Sequence, residues 1–338
     1  MNMDESIKKR FDGISGMISD TPLLEIHFLF KGQKRRIFAK AEAFNLTGSI
    51  KDRVAYYILK KAYETGAIHP EDKIAEATSG NTGISFSAVG RYLGHDVIIY
   101  MPDWMSKERI NLMQSYGAQV RLVSKEEGGF LGSIAMTEKL AEEGGVFLPR
   151  QFSNEDNAEA HYLMTGTEIV HQLEALGLRA DGVVAGVGTG GTVMGIGRRL
   201  REQNPDCQVY PLEPLNSPTI STGYKVGKHR IQGISDEFVP DILKMSEVND
   251  VISVDDTDSI IMSQMLARVL GIGVGISSGA NFIGCIMAQE KLGPESIIVT
   301  VFADDNKKYL STDYSEEQTM KEHYISHDVQ LLGVIAHR

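Results

Sequence analysis

Short apolar runs recur along this chain, each followed by a Gly-rich or hydroxyl-rich turn and then by a segment with helical spacing. That alternation builds parallel sheets covered by helices. It predicts a strand over 97–101, a helix over 107–116, a strand over 120–123 and a helix over 131–143. A second series predicts a strand over 182–187, a helix over 193–203 and a strand over 208–212. The fold class is therefore α/β. The polar, loop-like stretch 151–157 separates the two series and is the candidate boundary between two domains. The final segment opens with the charged run 315–323 and closes in the apolar run 329–335, a composition suited to covering a surface or a partner subunit.

At 338 residues and 42% hydrophobic content the chain can bury a substantial core, and its length falls near two domains. Its net charge of -11 repels phosphate backbones and anionic lipid, so neither a nucleic-acid partner nor a membrane surface is expected. Cys207 and Cys285 stand far apart with no C-x-x-C, and read as core-packing residues; no metal site is expected. Residues 1–18 hold no long apolar stretch, which argues against a signal peptide or anchor and makes the cytoplasm the expected location.

Three turns could hold an anion, because a helix amino terminus presents unpaired N–H groups and the positive end of its dipole. In Gly188-Thr189-Gly190-Gly191-Thr192, after the apolar run 183–187, glycines let the backbone approach a phosphate and the threonines add hydroxyl donors. Small polar residues crowd in Thr78-Ser79-Gly80-Asn81-Thr82-Gly83, before the helix expected over 84–92, and suit a carboxylate. The third, Ser277-Ser278-Gly279, follows the apolar run 272–276 and on its own reads best as a helix cap.

Gly186, Gly188 and Gly191 also fit G-x-G-x-x-G, with Glu213 about 20 residues on, the fingerprint of a dinucleotide site. Against a dehydrogenase stands Asn45-Leu46-Thr47-Gly48-Ser49-Ile50-Lys51-Asp52-Arg53, which opens a helix expected over 54–65. A lysine there is ordinarily solvated; beside a phosphate cradle, in a desolvated pocket, it becomes a Schiff-base candidate.

As a set, N-x-x-G-S-x-K-D-R, T-S-G-N-T-G, Q-F, G-T-G-G-T, S-S-G-A and Y-L-S-T resemble the cysteine synthase family (O-acetylserine sulfhydrylases, with cystathionine β-synthase as a relative) in content and order, over about residues 18–312. The resemblance implies the two-domain tryptophan-synthase-β fold of pyridoxal-phosphate enzymes, each domain a mostly parallel twisted sheet flanked by helices, with the cofactor in the cleft. A smaller domain would span 36–155, a larger one 12–35 and 156–314, with 315–338 as a tail. Lys51 would carry pyridoxal 5'-phosphate as a Schiff base. Gly188, Thr189, Gly190, Gly191 and Thr192 would bind its phosphate, Ser277 its pyridine nitrogen and Asn81 its ring hydroxyl. Thr78, Ser79, Thr82 and Gln151 would hold the carboxylate of a small amino-acid substrate, cysteine or O-acetylserine, with Gly233 beside it. The implied reaction is β-elimination or β-replacement through an aminoacrylate, in a homodimer.

The chain departs from the family pattern in three places. Leu46 and Thr47 replace Pro-Gly before the lysine, which alters turn stiffness. The stretch 303–308 stands where P-D-S-G-E-R is common and is assigned no role. In Gln232-Gly233-Ile234-Ser235-Asp236-Glu237-Phe238-Val239-Pro240 two carboxylates replace small residues of G-I-G-A-G-F-x-P. Asp236 is the better functional candidate, because it takes a small-residue position nearest the Gly233-Ile234 turn; for Glu237 an outward-pointing, solvated turn and a place at the cleft stay equally open. A carboxylate there opposes anionic sulfide and can deprotonate water or a thiol. The expected balance tips from making cysteine toward releasing hydrogen sulfide from it; an ordinary cysteine synthase is the alternative and a dehydrogenase the distant one.

Overall fold

Two sheets organise residues 3–338, the part of the chain that the computed structural model describes. The smaller, in the order β5-β4-β3-β6, is wholly parallel and uses Lys73–Ala77 (β3), Val97–Pro102 (β4), Gln119–Val123 (β5) and Val146–Phe147 (β6). The larger has the order β11-β1-β2-β10-β7-β8-β9. Its strands are Leu23–Phe30 (β1), Gln33–Ala41 (β2), Gly182–Gly186 (β7), Gln208–Pro214 (β8), Ile252–Val254 (β9), Ile298–Phe302 (β10) and Val329–His337 (β11). β10 is buried along its whole length, as expected of a parallel strand covered by helices on both faces. β1 and β2 instead form a hairpin across Lys31 and Gly32, whose φ of 51° and 78° give the primed turn that matches strand twist. No helix among the described residues is long and apolar enough to cross a membrane.

The α/β class and the two mostly parallel sheets agree with the sequence reading, but three expected boundaries shift. β2 pairs with β1 along its length and with β10 through Phe38 to Ala41, so it belongs to the larger sheet and the smaller unit cannot begin at 36. Helix Glu5–Ser15 buries Ile7, Phe11 and Ile14 in the smaller unit's core, where the Phe11 ring packs edge-on against Tyr56 and Tyr63 of the lysine-bearing helix Lys51–Thr65. The tail is no separate appendage, since β11 pairs antiparallel with β1 from Leu23↔His337 to Phe30↔Val329.

The run 272–276 forms no strand. Val274 makes a single bridge to Asp305, and helix Ile276–Leu292 has already begun, placing Ser277 in its first turn. The early start lets helix Ile276–Leu292 meet helix Asp256–Leu270 closely at Gly279, where a Cβ would fall 2.2 Å from the Ser259 carbonyl oxygen.

A buried ionic network ties the lysine-bearing helix Lys51–Thr65 to the larger unit. Arg53 is fully buried and donates to Glu42 (2.6 Å) and Glu168 (2.5 and 2.8 Å), and Lys40 pairs with Glu168 at 2.7 Å. Burial alone would raise the Glu168 carboxyl, but the bonds and charges of Arg53 and Lys40 outweigh it and hold the group at about 2. Removing one partner from such a network strands the others, so Glu168→Gln is expected to destabilise the fold by about 3–5 kcal/mol, read as a lower denaturation midpoint. Because the folded value lies below the unfolded one, this stability is present above the unfolded pKa of 4.5 and is lost as pH falls toward about 2. Parental stability of the variant at pH 7 would remove the network from the account.

Candidate active site

Lys51 is the first residue of its helix, and the turn before it is stitched to 303–308 from the far end of the chain. The Ile50 N–H donates to Ala303 (2.9 Å), Ser49 bridges Asp304, and Lys308 Nζ donates to the Gly48 carbonyl (3.0 Å). Thr47 is used as well: its N–H and hydroxyl donate to Asp52 at 2.7 and 2.6 Å, closing the turn with side-chain bonds. Lys51 opens partly to the cleft but is ringed by protein. Desolvation brings its ammonium down to about 8, with Asp236 pulling it partly back.

The 78–82 turn follows β3 and leads into helix Asn81–Leu93. Thr82 donates to Gln151 Oε1 (2.6 Å), Gln151 Nε2 donates to the Ala77 carbonyl (2.8 Å), and the Gln151 N–H reaches Glu76 Oε2 (3.3 Å). Two elements remote in sequence are thus held as one rim. Burial pushes the Glu76 carboxyl up to about 8.

On the other side, β7 runs into 188–190 and then helix Gly191–Gln203. Gly190 has a φ of 85°, which a side chain would strain. Gly188 packs backbone to backbone on the Gly233 loop: a Cβ would lie 2.5 Å from the Gly233 carbonyl oxygen. Asn157 Nδ2 joins the two sides, donating to the Gln151 carbonyl (2.8 Å) and to Thr189 Oγ1 (2.9 Å). His161 meets Thr192 Oγ1 at 3.3 Å, and burial holds its imidazole well below the usual pKa, hence neutral.

Asp236 follows Ser235, whose φ of 55° is held by its N–H on the Val187 carbonyl (2.7 Å) and its hydroxyl on the Ser217 carbonyl (3.0 Å). That left-handed residue turns Asp236 into the cleft toward Lys51. Burial raises its carboxyl to about 6, with Lys225 and Lys51 opposing the rise and Glu237 adding to it. Glu237 pairs with Lys225 at 3.6 Å.

The expected residues meet in two adjoining chambers. Lys51, Asn81, Gly188, Thr189, Gly190, Thr192 and Ser277 line one, and Gly191 sits behind it with its Cα against Asn157. Lys51, Thr78, Ser79, Thr82, Gln151, Gly233 and Asp236 line the other. Pyridoxal phosphate fits the first: a lysine, a glycine-rich turn at a helix amino end, a neutral serine and the buried Asn81 Oδ1, which has no partner among the described residues. A dinucleotide does not fit, because Glu213 is fully buried and accepts from Ile220 N (2.7 Å), Ser221 N (3.2 Å) and Ser253 Oγ (3.1 Å), leaving nothing for a ribose.

Sequence reasoning missed Asn157 and Asp304. Asp304 accepts from Asn81 Nδ2 (2.7 Å) and from the Tyr309 hydroxyl (2.6 Å). The only signal was the departure of 303–308 from the family pattern, and it pointed to no partner.

The family profile described as pyridoxal-phosphate dependent enzyme matches residues 14–304. The chain is 40% identical over 298 residues to a probable cysteine synthase of Bacillus subtilis, covering 88% of this chain and 95% of that one. It is 58% identical to the hydrogen sulfide-producing enzyme Fn1055 of Fusobacterium nucleatum, with a TM-score of 0.94 over 97% of this chain and 99% of that one. An Asp-to-Asn mutant of Fn1055, solved with an α-aminoacrylate intermediate, matches equally well. The cysteine synthase of Entamoeba histolytica is 34% identical, with a TM-score of 0.83 over 93% of each chain.

Proposed function

This chain belongs to the pyridoxal-phosphate dependent enzymes, and we propose that within them it releases hydrogen sulfide from cysteine and replaces the sulfur at the β-carbon with water or a neutral thiol. The observation that carries this reading is that Asp236 and Lys51 line the same chamber as the 78–82 turn, with the Asp236 carboxyl raised to about 6 by burial.

Pyridoxal phosphate bound here supplies an electron sink that lets a proton leave the α-carbon and a substituent leave the β-carbon. The 188–192 turn would hold its phosphate at the helix amino end, and Ser277, a neutral hydroxyl in the first turn of its helix, would meet its pyridine nitrogen without a negative charge. Thr78, Ser79, Thr82 and Gln151 orient the substrate carboxylate. Lys51, whose ammonium is brought down to about 8, frees its amine near neutrality to take the α-proton. Asp236, ionised above about 6, repels anionic sulfide and accepts a proton from an incoming neutral nucleophile. The likeness to a hydrogen sulfide-producing enzyme at 58% identity supports this direction.

The test is product analysis on the purified enzyme, first with cysteine and then with O-acetylserine plus sulfide. Sulfide release from cysteine, with serine or a thioether as co-product, is expected to outpace cysteine formation; serine identifies water as the nucleophile and a thioether identifies a thiol. Faster synthesis of cysteine would make the chain an ordinary cysteine synthase.

A further inference from the structure

The loop proposed to take the substrate carboxylate offers only neutral side chains, yet a cation is buried against it. Arg109, on helix Lys107–Ser115, is 2% exposed and enters none of the ion pairs among the described residues. Its Nη1 donates to the neutral Gln232 Oε1, its guanidinium lies 5.0 Å from the centre of the Tyr309 ring, and its Nε is buried without a hydrogen-bond partner among the described residues. Glu108, its neighbour in sequence, is held below the usual carboxylate range first by the Ser311 hydroxyl, and the Arg109 charge also acts on it, but the two form no ion pair. A Cβ on Gly80 would fall 2.5 Å from Arg109 Nε and 2.7 Å from its Cδ, so the arginine fills the space that a side chain at the middle of the loop would need. Arg109 also lines the chamber shared by Lys51, Thr78, Ser79 and Gln151.

A buried cation without a counter-ion is unfavourable, and a ligand can supply the missing charge. We propose that Arg109 is the counter-charge for the substrate α-carboxylate, making this a site for amino acids with a free carboxylate rather than for their amides or esters. The proposal rests on the reading that the 78–82 loop takes that carboxylate. Tyr309 and Gln232 hold the guanidinium in place, while the neutral donors of the loop orient the carboxylate that it attracts.

The test uses ligands that have no β-leaving group. Alanine and alaninamide are titrated into the cofactor-loaded wild type, Arg109→Gln and Arg109→Lys, with the cofactor's visible band as the readout. Alanine affinity is expected to fall about 10-fold or more in Arg109→Gln, as for loss of a charge-assisted contact, while alaninamide affinity is little changed. Arg109→Lys, which keeps the charge, is expected to retain the preference for alanine. Equal weakening of both ligands in the glutamine variant, or no weakening, overturns the proposal, as does a lysine variant that loses the preference completely. Because no sulfide is released in this assay, failure of the cysteine-cleaving reading leaves its result intact. Equal wild-type affinity for alanine and alaninamide removes the carboxylate site, and Arg109's part in it.

Discussion

Lys51→Ala is expected to abolish turnover, by about 10⁴-fold or more, and to leave a protein that no longer holds its cofactor covalently. Loss of one positioned acid–base group costs about 10²- to 10⁴-fold, and here the same side chain is proposed both to anchor the cofactor and to move the α-proton. Lys51 suits both tasks because desolvation in the cleft brings its ammonium to about 8, where the free amine is accessible near neutrality. Borohydride treatment followed by peptide mapping checks this: wild type is expected to carry the reduced cofactor on the peptide containing Lys51, and the variant to carry none. A reduced adduct on another lysine, or residual turnover within 10-fold of wild type, would remove Lys51 from the centre of the reaction.

Asp236→Asn is expected to divide the reaction at its middle. The first half, in which sulfide leaves, does not need the Asp236 carboxylate, so a single equivalent of sulfide per active site is released rapidly. The second half needs a base to take the proton of the incoming nucleophile, and the amide cannot; steady-state turnover falls about 10²- to 10⁴-fold and a cofactor-bound species accumulates with an altered visible spectrum. The pH profile follows from the raised carboxyl. With a folded value of about 6, Asp236 acts as a base only above that pH, so wild-type turnover rises with pH through about 6 and the asparagine variant lacks that limb. Stopped-flow spectra with cysteine and a turnover profile from pH 5 to 8 check both parts. Parental turnover in the variant would make Asp236 an ordinary charge on the rim.

Much of the scaffold is legible locally. The strands expected over 97–101 and 182–187 fall within one residue of β4 and β7, because an apolar run bounded by turn residues has few other ways to be buried. The helix expected over 131–143 instead spans Gly129–Ala141. The expected start at Leu131 falls on an exposed residue, whereas Phe130 before it is buried and Gly128 and Gly129, at φ of 97° and 57°, make the entry turn two residues earlier. Starts set by backbone conformation are poorly visible to a reading of side chains.

The site divides in the same way. The residue types at the two anion-holding turns and at the lysine turn were readable because their chemistry is local: small residues let a backbone approach a ligand, and a helix amino end attracts an anion. Asp236 stood out as a carboxylate where the related family carries a small residue. The sequence by itself thus determined the α/β class, the turns and which side chains are candidates for the site, all of which follow from spacing and residue type within a few positions of one another. Tertiary structure alone decided that Asp304 would hold Asn81 across 223 residues, that β11 would close the sheet on β1, and that Arg109, in no ion pair among the described residues, would lie on Gly80. Those pairings depend on which distant segments the folded backbone brings within a few ångströms, where short-range hydrogen bonds and desolvation act, and local periodicity carries no record of that distance.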